Sequence, residues 1–257
     1  MNFYKNWVAY WTIIRAGLWR VLRLWPQTLV PPIITSFLYF SIFGHVIGSR
    51  VGTMEGFSYA AFIAPGLIMM QVIMSAYSGT VSTFFMAKFH RDIEELLVSP
   101  MSNFSILLAY ASIGVFRGVI TGILVMCVAM SFTDIYFYSP GAILLISVVS
   151  SAIFSLAGLI NAVYARNFDD ISIIPNFVLT PLTYFGGVFY SINALPETWR
   201  FVSYVNPIYY IIHAFRYGFL GIHYTHLGLS IGLICVFLAG LFTIAWMIFR
   251  SGAGLRS

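Results

Sequence analysis

Residues 140–165 read PGAILLISVVSSAIFSLAGLINAVYA, and no Asp, Glu, Lys or Arg interrupts them. As a helix this run is about 39 Å long, whereas about 20 apolar residues already cross a ~30 Å hydrocarbon core. A stretch this long and this apolar reads as a membrane span. The whole chain shares its character. Of 257 residues, 60% are hydrophobic and 8% charged, against roughly 25% charged in an ordinary soluble domain. Mean hydropathy is +0.90. No soluble fold of this size could hide so much apolar surface, which excludes a water-soluble enzyme.

Outward from this run, charged residues act as punctuation. Further charge-free stretches contain 31–48, 57–87, 171–195 and 227–249. Residues 104–132 are equally apolar but carry Arg117. With 140–165 these give six expected spans. Residues 201–220 are apolar too, but Asn206-Pro207, His213 and Arg216 mark them as a re-entrant or interfacial pair of short helices. The fold class expected is therefore an all-α integral membrane protein formed as a single transmembrane domain over residues 1–257. It has an N-terminal amphipathic, interfacial elbow helix in 1–26, a cytoplasmic loop at 84–103 that is the candidate coupling loop, and an extracytoplasmic re-entrant segment at 196–225.

Orientation follows from Lys and Arg. With the N-terminus in the cytoplasm, Lys5, Arg15, Arg20, Arg23, Lys88, Arg91, Arg166, Arg250 and Arg256 fall inside. Only Arg50, Arg200 and Arg216 fall outside, and a seventh span would weaken the bias. Both termini are then expected in the cytoplasm. The net charge of +5 is explained by this asymmetry, so no nucleic-acid partner is expected. The first 26 residues are basic and Trp-rich without a short apolar core and cleavage site, so no cleavable signal peptide is expected. Cys127 and Cys235 lie in apolar runs with no metal or redox spacing and read as small core residues.

Four features are not plain spans. On a helical wheel Trp7, Trp11, Ile14, Leu18, Val21, Leu22 and Trp25 share one side, with Lys5, Arg20 and Arg23 opposite. Such a helix lies in a membrane surface. The second is the most charged loop, FFMAKFHRDIEELLVSPMSN at 84–103. Arg91 and Glu95 face each other at i, i+4, Asp92 and Glu94 add negative charge, Leu96, Leu97 and Val98 form an apolar patch, and Ser99-Pro100 ends the helix. This pattern is either a docking element or a solvated loop helix. The third is Arg117. An isolated arginine at mid-membrane costs at least ~2.5–3.5 kcal/mol, so it should face the bundle interior or an aqueous cavity. It sits within Gly114-x-x-x-Gly118-x-x-x-Gly122, a repeat that favours close helix approach. It reads either as a translocation contact or as a packed, satisfied arginine. The fourth is Asp169-Asp170, which reads as a solvated turn, since a metal site needs several converging carboxylates.

Other chemistry is missing. The two lysines follow Tyr4 and Ala87, so no GxxxxGK[ST] phosphate loop exists. There is no HExxH or GxSxG, and no carboxylate lies within the six expected spans. Neither catalysis, a metal site nor ion coupling has a residue set.

Two stretches carry a family resemblance. One is residues 91–102, RDIEELLVSPMS. The other is Phe185-Gly186-Gly187-Val188-Phe189-Tyr190 followed by Leu195-Pro196, Asn206-Pro207 and Arg216. Together with the layout from amphipathic helix to last span, the chain resembles the membrane-spanning permease of a bacterial type-2 ATP-binding-cassette (ABC) exporter. The resemblance implies two permeases, in the simplest case a homodimer, resting on two separate cytoplasmic ABC ATPase subunits in the inner membrane. ATP and Mg2+ would bind the partner, and this chain would hold no cofactor. Arg91, Asp92, Glu94, Glu95, Leu96, Leu97 and Pro100 would couple to the ATPase, and substrate would move between the two permeases, among membrane lipids. The sequence departs from the family in one place, Phe89-His90-Arg91-Asp92-Ile93-Glu94, where many members carry an Arg-Glu-x-Gly-Thr-Leu-Glu run. A lipid, saccharide or drug-like amphiphile is the expected substrate class. Two other readings make different demands. A membrane-embedded lipid transferase requires metal at Asp169 and Asp170, and a non-catalytic scaffold has no effect on any partner's ATP turnover.

Overall fold

A computed structural model describes residues 3–98, 101–222, 227–252 and 254. Helix α1 (Phe3–Arg23) leads into α2 (Trp25–Val51), then a two-stranded hairpin of β1 (Thr53–Met54) and β2 (Phe57–Ser58). Next come α3 (Tyr59–Phe89), α4 (Asp92–Val98), α5 (Asn103–Met130) and α6 (Pro140–Tyr164). The chain continues through α7 (168–185), α8 (Glu197–Val205), α9 (Pro207–Leu220) and α10 (Leu227–Ser251). The architecture is that of an all-α integral membrane protein. Among the described residues five helices, α2, α3, α5, α6 and α10, are long and apolar enough to cross a bilayer.

The stretch 171–195 is apolar for longer than it is helical. Helix α7 starts at Phe168, runs through a π-helical turn at Pro175–Leu179, and stops at Phe185. Pro175 and Pro181 offer no backbone N–H, and a π turn is one way a helix absorbs such a loss. The stop falls at Gly186-Gly187, where Gly187 takes φ +80°, a left-handed conformation that costs glycine little. At about 27 Å, α7 is shorter than the spans around it. The hairpin was not legible beforehand. Its turn residues Glu55 and Gly56 both have positive φ, +54° and +85°, as a tight two-residue hairpin demands.

Helix α3 is the axis of the bundle. Residues such as Phe62, Ile63, Leu67, Met69, Val72, Ile73, Ala76 and Phe84 are fully buried. Helices α5 and α6 pack along most of its length, and α9 against its first half. Such packing in lipid cannot rely on a hydrophobic drive between helices; it relies on close backbone approach and interhelical hydrogen bonds. Both are present. A Cβ added at Gly114 would strike Thr80 Oγ1 and come within 2.5 Å of Ser155 Oγ. One at Gly118 would lie 2.9 Å from the Ala76 Cβ, one at Gly122 2.7 Å from Val72 Cγ2, and one at Gly158 2.6 Å from the Tyr77 carbonyl oxygen. Between these contacts, the Ser75 and Thr121 hydroxyls lie 2.7 Å apart, and those of Thr80 and Ser155 2.6 Å apart. Ser155 also donates to the Ala111 carbonyl at 2.8 Å.

Helix α1 lies along α5. Gly17 sits against Ile113, the Tyr10 and Ser112 hydroxyls are 3.0 Å apart, and Ile14 and Val21 are buried. Trp7, Trp11 and Trp19 remain exposed, as does Trp25 at the start of α2. The apolar side of this helix is thus divided between protein contact and an outward tryptophan row. The expectation for the cysteines is corrected. Cys127 and Cys235 are both exposed on the outside of the bundle, because apolar neighbours in a membrane helix occur on its lipid side as well as in its core.

Substituting Gly114→Ala should lower the thermal unfolding midpoint in detergent, with a loss of about 1–3 kcal/mol from overpacking. Gly240→Ala, where no heavy atom lies within 4 Å, should leave it unchanged or raise it slightly. Equal midpoints for both variants would contradict the close-packed axis.

Candidate functional site

The residues singled out in the sequence fall into three groups, two of them at opposite ends of α3. At 31 residues α3 is about 46 Å long. Beyond its C-terminal end the chain reverses at Arg91, which has φ +65°, a strained value for a residue with a Cβ. Helix α4 follows. Its Ile93 is buried against the bundle and Leu96 is half-buried, while Asp92 and Glu95 are exposed. Val98 is 88% exposed, an apolar tip left uncovered by the described residues. The side chains of Glu94 and Leu97 and the whole of Pro100 lie outside the described residues. The loop is tied back to α1, where the Ser102 N–H donates to Asn6 Oδ1 at 3.1 Å. The Ser102 hydroxyl in turn caps α5, accepting from the Ser105 N–H at 3.1 Å.

At the other end of α3 the second group converges on one buried clamp. Arg216, 3% exposed, donates from Nη2 to the Gly187 carbonyl at 2.7 Å and stacks 4.1 Å above the Phe62 ring. Asn206 Oδ1 accepts from the Ile208 N–H at 2.9 Å, capping α9, while its Nδ2 donates to the Leu182 carbonyl at 2.6 Å. Pro207 opens α9, where its missing N–H costs nothing. Gly186 and the segment after it pass close to α3 and α9. A Cβ on Gly186 would lie 2.9 Å from Ile212, and one on Gly66 2.9 Å from the Val188 backbone. The Tyr59 hydroxyl donates to the Phe189 carbonyl at 2.9 Å, and the Ser191 hydroxyl to Glu55 Oε1 at 2.6 Å. Pro196 stands apart, exposed at the start of α8. These residues thus hold the end of α7 against the first turns of α3 and α9.

The third group lies between the ends. Gly114, Gly118 and Gly122 all face α3. Arg117 lies across Gly79 of α3, so close that a Cβ there would be 2.8 Å from its Cδ, and its buried Nε has no hydrogen-bond partner among the described residues. Asp170 is occupied locally. Its Oδ2 accepts the backbone N–H groups of Arg166 at 2.8 Å and Asn167 at 3.3 Å in a capping box at the start of α7. Among the described residues no group of three His, Cys, Asp or Glu side chains could hold a metal. The sequence reading missed the hydroxyl pairs of the axis and Lys88, whose ammonium donates to the Val163 and Ala165 carbonyls at the end of α6. The density of Ser and Thr at 75, 78, 80, 82 and 83 of α3 was the available signal.

Five membrane-length helices packed about one buried axis define an integral membrane protein. The chain belongs to the ABC-2 type transporter family, whose pattern it matches over residues 8–220. It is 51% identical over 251 residues to the inner membrane transport permease YadH of Escherichia coli K12, covering 98% of each chain. It is also 24% identical over 235 residues to nodulation protein J of Rhizobium meliloti, covering 90% of this chain and 88% of that one. The protein is therefore a membrane transport subunit of a family that generally works with an ABC ATPase.

The clamp makes two testable demands. Arg216→Met leaves the buried Gly187 carbonyl without its donor and should cost about 1–3 kcal/mol of stability. Gly187→Ala forces a Cβ into φ +80° and should cost about 1–3 kcal/mol. Thermal unfolding of the purified variants in detergent reads both; unchanged midpoints would remove the clamp's structural role.

Proposed function

We propose that the chain is the permease of an ABC exporter in the bacterial inner membrane, moving an amphiphile such as a lipid, a saccharide or a drug-like molecule. Its energy comes from ATP and Mg2+ bound on a separate ATPase subunit. The observation that carries this reading is α4, a short helix anchored by Ile93 and presenting Asp92, Glu95 and the exposed Val98 to whatever lies beyond the bundle. The chain has no nucleotide-binding loop of its own, and YadH, half identical over nearly the full length, is named an inner membrane transport permease. In this reading Arg91, Asp92, Glu94, Glu95, Leu96, Leu97 and Pro100 form the docking loop.

Helix α7 serves as the sixth crossing, with its neighbours compensating for its length. Helix α9, with 14 residues or about 21 Å, is too short to be a seventh and pairs with α8 as a re-entrant element. Both termini then lie in the cytoplasm with the majority of the basic residues. Helix α1 lies at the membrane surface with its tryptophans in lipid. Two such permeases and two ATPases make the working unit, substrate passing between the permeases, with Arg117 one candidate contact on that path.

Reversing both Glu94 and Glu95 to Lys should abolish docking. Expected in membranes carrying both subunits is a loss of at least tenfold in ATPase recovery with the permease, about 1.4 kcal/mol of coupling, without loss of folded permease. Normal recovery and normal ATP turnover would overturn the assignment of this loop.

A further inference from the structure

Where α3 and α6 end on the same side of the bundle, they leave a cavity of about 570 Å3. Its wall brings together Lys88 from α3, Arg91 from the turn before α4, and Arg166 from the turn after α6. Three cations from three elements thus share one concave surface. Lys88 is committed to the carbonyls of Val163 and Ala165 and so ties the two helix ends. The side chains of Arg91 and Arg166 have no hydrogen bond or ion pair among the described residues. The acids nearest in sequence make no ion pair with either arginine among the described residues: Asp170 Oδ2 accepts the backbone N–H groups of Arg166 and Asn167, Asp169 is exposed, and Asp92 lies within electrostatic reach of Tyr110. The chain holds Arg91 there at a backbone cost, since its φ is +65°.

Beside Val163, Ala165 and Gly254, the rest of the wall is aromatic. Phe85, Phe89 and Tyr164 line it. Phe168 packs edge-on against Phe85 at 5.0 Å and near Phe89 at 5.7 Å. Phe89, Tyr164 and Phe168 are each more than half exposed. They stand at the ends of membrane-spanning helices, the depth at which aromatic side chains meet headgroups. Arginine side chains with no ion pair among the described residues, room for a headgroup and an aromatic rim together define the chemistry of the occupant. We propose that this cavity binds the phosphate group of an anionic phospholipid headgroup in the cytoplasmic leaflet. The leaflet rests on the orientation proposed above; the phosphate chemistry does not.

The test is native mass spectrometry of the purified full chain titrated with phosphatidylglycerol, with phosphatidylcholine, and with inorganic phosphate as competitor. The variants are R91Q, R166Q, the double R91Q/R166Q and the charge-preserving R91K/R166K. The proposal predicts phosphatidylglycerol binding weakened about fivefold by each glutamine and about 25-fold by the pair, largely kept by the lysine pair, with phosphatidylcholine binding unaffected. Displacement of phosphatidylglycerol by millimolar phosphate would support the phosphate site and assign its source to solution. Unchanged phosphatidylglycerol binding in R91Q/R166Q would overturn the proposal. So would a double variant that keeps the lipid but loses the ATPase, since the arginines would then belong to a protein interface. Labelling of N167C in a cysteine-free background separates the two readings: modification only from the cytoplasmic face supports the leaflet, and modification from outside overturns the leaflet alone.

Discussion

The structure depends on one helix that has almost no lipid surface. Burying α3 on nearly every side requires α5, α6 and α9 to come within backbone distance of it. In a bilayer the only terms available for that are van der Waals packing and hydrogen bonding between helices. Glycines 114, 118, 122 and 158 provide the approach, and the Ser75–Thr121 and Thr80–Ser155 pairs fill the gaps with hydroxyls that satisfy each other. Substituting larger residues at these positions would hold the neighbouring helices off the axis.

The axis also connects two places with different tasks. One end carries the turn at Arg91 and the helix beyond it. The other end meets the Arg216 clamp, which fixes the close of α7 and the start of α9. A helix gripped along its length by tight contacts moves as a rod, because close-packed interiors do not deform continuously. In the proposed exporter, motion imposed at α4 would therefore reach the clamp as displacement rather than as local rearrangement.

Much of this was legible in the sequence. Charge-free runs mark α3, α6 and α10 because charged residues are excluded from hydrocarbon. The Gly114 repeat lies where α5 meets α3. Gly187, Asn206 and Arg216 meet in one clamp; Asn206 and Arg216 were visible as polar residues in an apolar stretch, and Gly187 only through the family resemblance. The rest was hidden for physical reasons. Hydropathy does not register where an apolar stretch stops being helical, so the end of α7 at Phe185 was placed too late. In membrane helices the lipid side is as apolar as the core, so Cys127 and Cys235 read as interior when they are not. The cavity at Lys88, Arg91 and Arg166 depends on where two helix ends meet, and no local pattern encodes that.

The most direct measurement of the central claim is a mild-detergent pull-down of the tagged chain from its native membrane, followed by an ATPase assay on the eluate. Permease action driven from outside the chain predicts co-elution of a soluble ABC subunit near 1:1, with vanadate-sensitive ATP turnover. Recovery of the chain alone, under conditions that keep other membrane complexes intact, would contradict it.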